Sequence, residues 1–222
     1  MSHEYLVARP QESILATNKV IRNTYMLLSL TLLFSAVTAG IAVVTQMPHP
    51  GLLVTLGGYF GLLYVTTALR NSGWGLLAVF GLTGFMGLTL GPIISYYITA
   101  FSNGSQLVMT ALGGTGVIFL GLSGYALSSR KDFSFLGGFV IAGVLVAFLA
   151  GLGAYVFALP GLALAVSAMF ILLMSGLILY QTSAIIHGGE TNYIMATVAL
   201  YVSIFNLFTS LLHLLGAMSG ND

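Results

Sequence analysis

The chain has 222 residues and only eleven formal charges, six Lys or Arg and five Asp or Glu. That is 5% of the sequence, against about 25% in a soluble globular domain, and the mean hydropathy is +1.02. So few charges cannot clothe a soluble surface, which excludes a soluble enzyme, a nucleic-acid binder and a disordered chain; zero Cys excludes disulfides, thiolate metal sites and cysteine nucleophiles.

An integral membrane protein of all-α class is what remains, and the gaps between charges count its helices. The uncharged stretches are 47 residues between Arg22 and Arg70, 59 between Arg70 and Arg130, 57 between Asp132 and Glu190, and 31 between Glu190 and Asp222. A helical crossing takes about 20 apolar residues, so these stretches hold two, two, two and one. Turn residues divide the doubles: Met47-Pro48-His49-Pro50-Gly51, Ser102-Asn103-Gly104-Ser105 and Leu159-Pro160-Gly161. The expected spans are 24–46, 51–69, 74–99, 106–127, 135–157, 162–185 and 193–216. A 1–23 tail precedes this 24–216 transmembrane domain and a short 217–222 tail follows it. The first apolar run is too long for a cleaved signal and reads as an anchor. Pro10 to Arg22 has the composition of a helix lying on the membrane surface.

Orientation follows from the basic residues. Arg9, Lys19 and Arg22 precede span 1, Arg70 lies between spans 2 and 3, and Arg130 and Lys131 lie between spans 4 and 5. All six fall on one face, which the positive-inside rule makes cytoplasmic. The expected topology has the N-terminus inside and the C-terminus outside.

Packing in lipid relies on small residues that let backbones approach. The 28 glycines are about twice the usual share. Gly57 and Gly61 in span 2, Gly87 and Gly91 in span 3, and the Gly143, Ala147, Gly151 ridge in span 5 are the expected contact surfaces; nothing in the sequence selects a homodimer. Pro92, deep in span 3, is expected to kink its helix. Span 7 carries Asn192, Ala196, Ala199, Ser203, Asn206, Ser210 and His213 within one helical face. A small, polar face through the bilayer belongs in the bundle interior. Two readings stand: interhelical hydrogen bonding, or a polar pathway past Asn206, Ser210 and His213.

No Lys, Arg, Asp or Glu lies within a span, which argues against a proton pump, an ion-coupled carrier or a voltage sensor. Span 7 also lacks the lysine of a retinal protein. Gly121-Leu122-Ser123-Gly124 matches the GxSG of rhomboid proteases, but Ser123 and His213 belong at opposite ends of their spans, so Ser123 is read as a packing residue. His187-Gly188-Gly189-Glu190 offers two metal-ligand types without a third. The expected role is a turn, with Glu190-Thr191-Asn192 capping span 7 and His187 hydrogen-bonded at the interface. No cofactor, metal or catalytic group is expected, nor is nucleic acid as a partner.

Longer motifs add a resemblance. Asn18-Lys19-Val20-Ile21-Arg22-Asn23-Thr24-Tyr25 running into span 1, and Leu200-Tyr201-Val202-Ser203-Ile204-Phe205-Asn206-Leu207-Phe208 in span 7, resemble the Bax inhibitor family of seven-helix membrane proteins. The stretch from Ile185 to Ile194, with Arg130-Lys131-Asp132-Phe133-Ser134, resembles its bacterial inner-membrane branch. The resemblance implies a fold with helix 7 surrounded by helices 1 to 6. It implies as partner the membrane-bound AAA protease FtsH, which such a protein would modulate while being a substrate of it. The length and polarity of the 1–23 tail make it the expected handle, and the compact bundle behind it is expected to make extraction slow. It also implies, as an alternative, a calcium or proton leak whose pH sensor is a pair of aspartates on helices 6 and 7. Gln181 and Ser203 stand at those two positions, and neither titrates near neutral pH.

Overall fold

The computed structural model describes the backbone of residues 8–220 and the side chains of 17–220. These residues form seven α-helices and no strand: α1 (Ala8–Val44), α2 (Leu52–Leu69), α3 (Trp74–Ala100), α4 (Gly104–Ser129), α5 (Leu136–Val156), α6 (Pro160–Ile186) and α7 (Tyr193–Ser219). All seven are long and apolar enough to cross a membrane. The shortest, α2, has 18 residues, roughly 27 Å at 1.5 Å per residue, which just spans a hydrocarbon core of about 30 Å.

The expected spans agree with these helices to within a few residues, apart from the start of α1. Instead of a separate surface helix over Pro10 to Arg22, one helix of 37 residues runs through to Val44. The cause is local: no Gly or Pro interrupts residues 11–39, and Pro10 falls in the first turn, where its missing N–H costs nothing. Pro92 leaves α3 assigned as one continuous helix. Helix ends follow the turn residues. Pro160 opens α6 at its first position, and Gly51 and Gly188 adopt positive φ in the turns after α1 and α6. Arg130 ends α4 in the left-handed region, φ 50° and ψ 25°, where glycine is usual and another L-residue costs about 1–2 kcal/mol.

The glycine surfaces are used selectively. Gly84, Gly87 and Gly91 form one face of α3 pressed against α1. A methyl at Gly84 would meet the Phe34 ring at 2.6 Å, one at Gly87 the Ser35 hydroxyl at 2.9 Å, and one at Gly91 the Ala39 carbonyl at 3.0 Å. In α5, Gly143 lies against Leu173 and Gly151 against Val166 of α6, with Ala147 fully buried between them. Gly57 and Gly61 depart from expectation, since a methyl at either meets nothing within 4 Å. The α2–α3 contact runs instead through Gly58, against the Phe85 ring.

α3 and α7 are the most buried helices, with half of their apolar windows inside, against 6% for α2 and 17% for α5. α7 packs on α1, α3, α4 and α6, while α2 and α5 pack on α3 and α6. Four helices therefore surround α7, not the six implied by the resemblance. Hydrogen bonding accounts for the difference. α1, α3 and α6 offer α7 hydroxyls or carbonyls, whereas among the described residues no side chain of α2 or α5 bonds another helix.

Gly87→Ala is expected to destabilise the protein by about 1–3 kcal/mol through overpacking at the α1–α3 contact, read as a lower melting temperature in detergent. Gly57→Ala should stay within about 0.5 kcal/mol of wild type. Equal losses at both sites would mean that the glycine faces are misassigned.

Candidate functional site: the polar seam of helix 7 and the rim beside its N-terminus

The rim is assembled by backbone geometry. After α6, the Gly189 and Glu190 amides donate to the Ala184 carbonyl at 2.8 and 3.1 Å, closing the tight turn expected of the two glycines. Glu190 Oε1 accepts the Asn192 amide at 2.7 Å. Asn192 Oδ1 then accepts the Ile194 and Met195 amides at 3.0 and 3.1 Å, the N-cap that helix starts favour. Asn192 Nδ2 donates to the Arg70 carbonyl and to Asn71 Oδ1, fastening α7 to the α2–α3 turn. His187 Nδ1 lies 2.9 Å from the Ser183 carbonyl, so the ring donates there. Ser183 Oγ accepts the Phe133 amide at 2.9 Å and donates to the Lys131 carbonyl at 3.3 Å, fastening α6 to the α4–α5 loop. The loops that carry Arg70, Arg130, Lys131 and Glu190 thus share one face of the bundle.

Within that loop, Asp132 Oδ1 accepts the Ser134 amide at 2.8 Å, an Asx turn leading into α5. That bond, helped by the Ser134 side chain and the nearby His187, holds the Asp132 carboxyl below its ordinary value of 3.8. Lys131 Nζ stands 6.0 Å from the centre of the Tyr125 ring.

Deeper in the bundle the polar side chains pair across helices. Tyr201, 1% exposed on α7, lies 2.5 Å from Ser35 Oγ of α1 and donates to the Thr83 carbonyl of α3 at 3.3 Å. Thr197 reaches the Thr24 carbonyl of α1 at 3.2 Å. Thr182 Oγ1 sits 3.3 Å from Tyr25 Oη and 3.4 Å from Ser123 Oγ, joining α6 to α1 and α4 through long, weak contacts. At the other end of the seam, Ser167 Oγ pairs with His213 Nδ1 at 2.7 Å, and Asn103 and Ser219 bond each other, tying α4 to α7.

The positions singled out for a pathway are differently disposed. Ser203 is fully buried and its hydroxyl donates to the Ala199 carbonyl one turn back, at 2.8 Å. Asn206 donates to the Val202 carbonyl at 2.9 Å. Ser203 is spent on its own helix, and Asn206 commits one amide proton to it. Gln181 is half-buried beside Thr182, and among the described residues no hydrogen bond joins it to Ser203. Ser210 is buried, and His213 lines a groove at the α5–α6 turn with Tyr155 and Pro160. Ser123 pairs with Thr182 and with neither histidine. Ser167 Oγ has two partners in reach, the Ala163 carbonyl at 3.0 Å and His213 Nδ1, and so fastens the end of the seam to both its own helix and α7.

Several of these partners escape sequence reasoning. Ser35, Tyr25, Thr182, Ser183 and Ser167 carry one available signal, a hydroxyl within an apolar span. That signal says each needs a partner and does not say which.

The Asx turn has a pH signature. Because folding lowers the Asp132 pKa, its contribution to stability is complete above the ordinary carboxylate value and is lost as pH falls through the lowered one. Asp132→Ala should flatten the acid limb of a stability–pH profile below about pH 4 and lower stability at pH 7. An unchanged acid limb would show that the turn contributes nothing.

The chain was compared with known proteins. A family profile described as "Inhibitor of apoptosis-promoting Bax1" matches residues 17–220. The chain is 52% identical over 208 residues to the Modulator of FtsH protease YccA of Escherichia coli, covering 93% of this chain and 94% of that protein. It is 53% identical over 203 residues to an uncharacterised protein of Pseudomonas aeruginosa, with 91% of each chain covered. It is 30% identical over 208 residues to Protein lifeguard 4 of the mouse, covering 90% of this chain and 85% of that one. A profile matching nearly the whole helical bundle and relatives of this similarity settle the assignment: the chain belongs to the Bax inhibitor family and is a multi-pass membrane protein of that family.

Proposed function

We propose that this protein binds the FtsH protease complex in the inner membrane and restrains its action on other membrane substrates. The observation that carries this reading is the 52% identity, over nearly the full length of both chains, to a relative named as a modulator of that protease. Its counterpart in another strain is named an inner membrane protein, which supports the same location here. The basic loops sharing one face support an inside N-terminus and an outside C-terminus.

The physical account is contact without chemistry. An AAA protease grips an exposed segment and pulls the remainder out of the membrane. The polar segment from Met1 to about Asn23 is the handle; its residues 1–7 lie outside the described residues. The body behind it is cross-tied by hydrogen bonds between α1, α3, α4, α6 and α7. Each interhelical bond in a membrane is worth about 0.6 kcal/mol, up to about 1.7, so resistance to extraction comes from their number together with the packed glycine faces. A slowly extracted body occupies the protease and competes with other substrates. The ion-leak alternative finds less support: Gln181 and Ser203 replace the titrating pair, and Ser203 and Asn206 bond their own helix.

Affinity purification of the tagged protein from native membranes, in mild detergent, should recover FtsH. In proteoliposomes, adding the protein should slow degradation of a second membrane substrate by FtsH. Neither co-elution nor slowing would overturn the proposal.

A further inference from the structure

A cavity of about 300 Å³ opens on the rim where α1, α4 and α6 meet, lined by Thr17, Asn18 and Ile21 of α1, Leu127 and Arg130 from the end of α4, and Ile186, His187 and Gly188 from the end of α6. Its depth is graded. Ile21, Leu127 and Ile186 are half-buried, while Asn18, Arg130 and His187 are exposed. Among the described residues no carboxylate lines it. It also stands at a fixed level in the bundle. Lys19 and Arg22 mark the polar approach to the apolar run of α1, and α4 and α6 end at Ser129 and Ile186. The cavity therefore lies at the boundary between hydrocarbon and water, apolar toward the membrane and polar toward the aqueous side.

We propose that this cavity binds the headgroup of an anionic phospholipid, the phosphodiester on Arg130 with Asn18 and Thr17, and the first acyl methylenes on Ile21, Leu127 and Ile186. The inference is independent of any protease partner. A basic pocket between membrane helices is a recognised setting for acidic lipid headgroups, and the planar guanidinium suits a phosphate. The C-terminal ends of α4 and α6 work against an anion, each bringing about half a negative charge. The fixed charges outweigh them. Among the described side chains the chain carries five cations, Lys19, Arg22, Arg70, Arg130 and Lys131, against two carboxylates, Asp132 and Glu190. Both carboxylates are hydrogen-bonded to backbone amides in their own loops.

Arg130 is held for this role by an unusual backbone. It occupies the left-handed cap position, φ 50°, where glycine would be easier. The Phe133 amide and Lys131 carbonyl just beyond it are pinned to Ser183, so the loop is fixed to α6 and Arg130 stays beside His187. His187 Nδ1 is engaged with the Ser183 carbonyl, which leaves Nε2 as the ring nitrogen available to a ligand. The half-buried apolar lining favours a lipid over a soluble acidic peptide, which would leave Ile21, Leu127 and Ile186 uncovered.

The left-handed cap supplies a clean variant. Arg130→Gly removes the charge at a backbone position that glycine prefers, so the fold should be kept or its melting temperature raised; Arg130→Gln is the second variant. The delipidated protein is titrated in detergent with phosphatidylglycerol or phosphatidylethanolamine of the same acyl chains, and bound lipid is counted by native mass spectrometry. The expected result is tighter binding of phosphatidylglycerol, weakened roughly fivefold in both Arg130 variants, the effect of one cation at a membrane surface. Arg70→Gln, a basic residue on the same face outside the cavity, should change it by less than about twofold. Equal affinity for the two lipids overturns the proposal, as do equal losses at Arg130 and Arg70, which would reflect general surface charge. Inorganic phosphate is the third arm. If it displaces the lipid at comparable concentration, the site is one for free phosphate and the lipid assignment fails.

Discussion

A polar group inside a bilayer has no water to bond, so each must find a partner within the protein or incur several kcal/mol. The organisation of this bundle follows from that constraint. Its spans contain no charged residue, yet they carry many hydroxyls, and most of the buried ones bond either the preceding turn or a neighbouring helix. Thr83, Thr115 and Ser203 take the first route; Ser35, Tyr201, Thr197 and Ser167 take the second. Among the described residues a single buried side-chain oxygen, Thr24 Oγ1, lacks a partner. Helices with hydroxyls to share surround α7. α2 and α5, whose side chains bond no other helix among the described residues, lie at the periphery and expose large apolar residues such as Leu53, Phe139 and Leu149 to the membrane.

Much of this was legible in the sequence because lipid makes composition nearly equivalent to topology. Charge gaps counted the helices, and Pro-Gly and Asn-Gly turns divided them. The packing of helix 7 against several neighbours followed from its small, polar face, and its cap from Glu190-Thr191-Asn192. Pairwise facts were not legible. A GxxxG pattern is equally visible in α2 and α3, but only rotation about the helix axis decides that Gly87 and Gly91 face α1 while Gly57 and Gly61 face open space. The same holds for Ser123, Ser167 and Ser183, whose partners are set by distance through the bundle. The continuous start of α1 was missed for a different reason: a charged amphipathic stretch signals the membrane boundary but does not say whether the helix bends there.

The seam and the rim divide the labour. Along the seam, hydrogen bonds join α7 to four neighbours and make the body hard to dismantle. At the rim, Ser183 and Asn192 fasten the loops of three helix pairs to one another, so the basic residues, the Asx turn of Asp132 and the His187 turn form one surface. A protein that works by contact needs both features, a body that holds together and a shaped surface at the aqueous boundary. Gln181 and Ser203 fit that division, since they can pack and hydrogen-bond without titrating.

The central claim is that the polar face of α7 is consumed by packing and is not wetted. The chain contains no cysteine, so single substitutions can be probed against a silent background. Cysteines at Ala196, Ser203 and Asn206, with a loop control at His49, would be exposed to a membrane-impermeant thiosulfonate reagent from either side in intact and inverted vesicles. The account predicts labelling of the His49 control alone. Rapid labelling at Ser203 would contradict it and show that water runs along the helix.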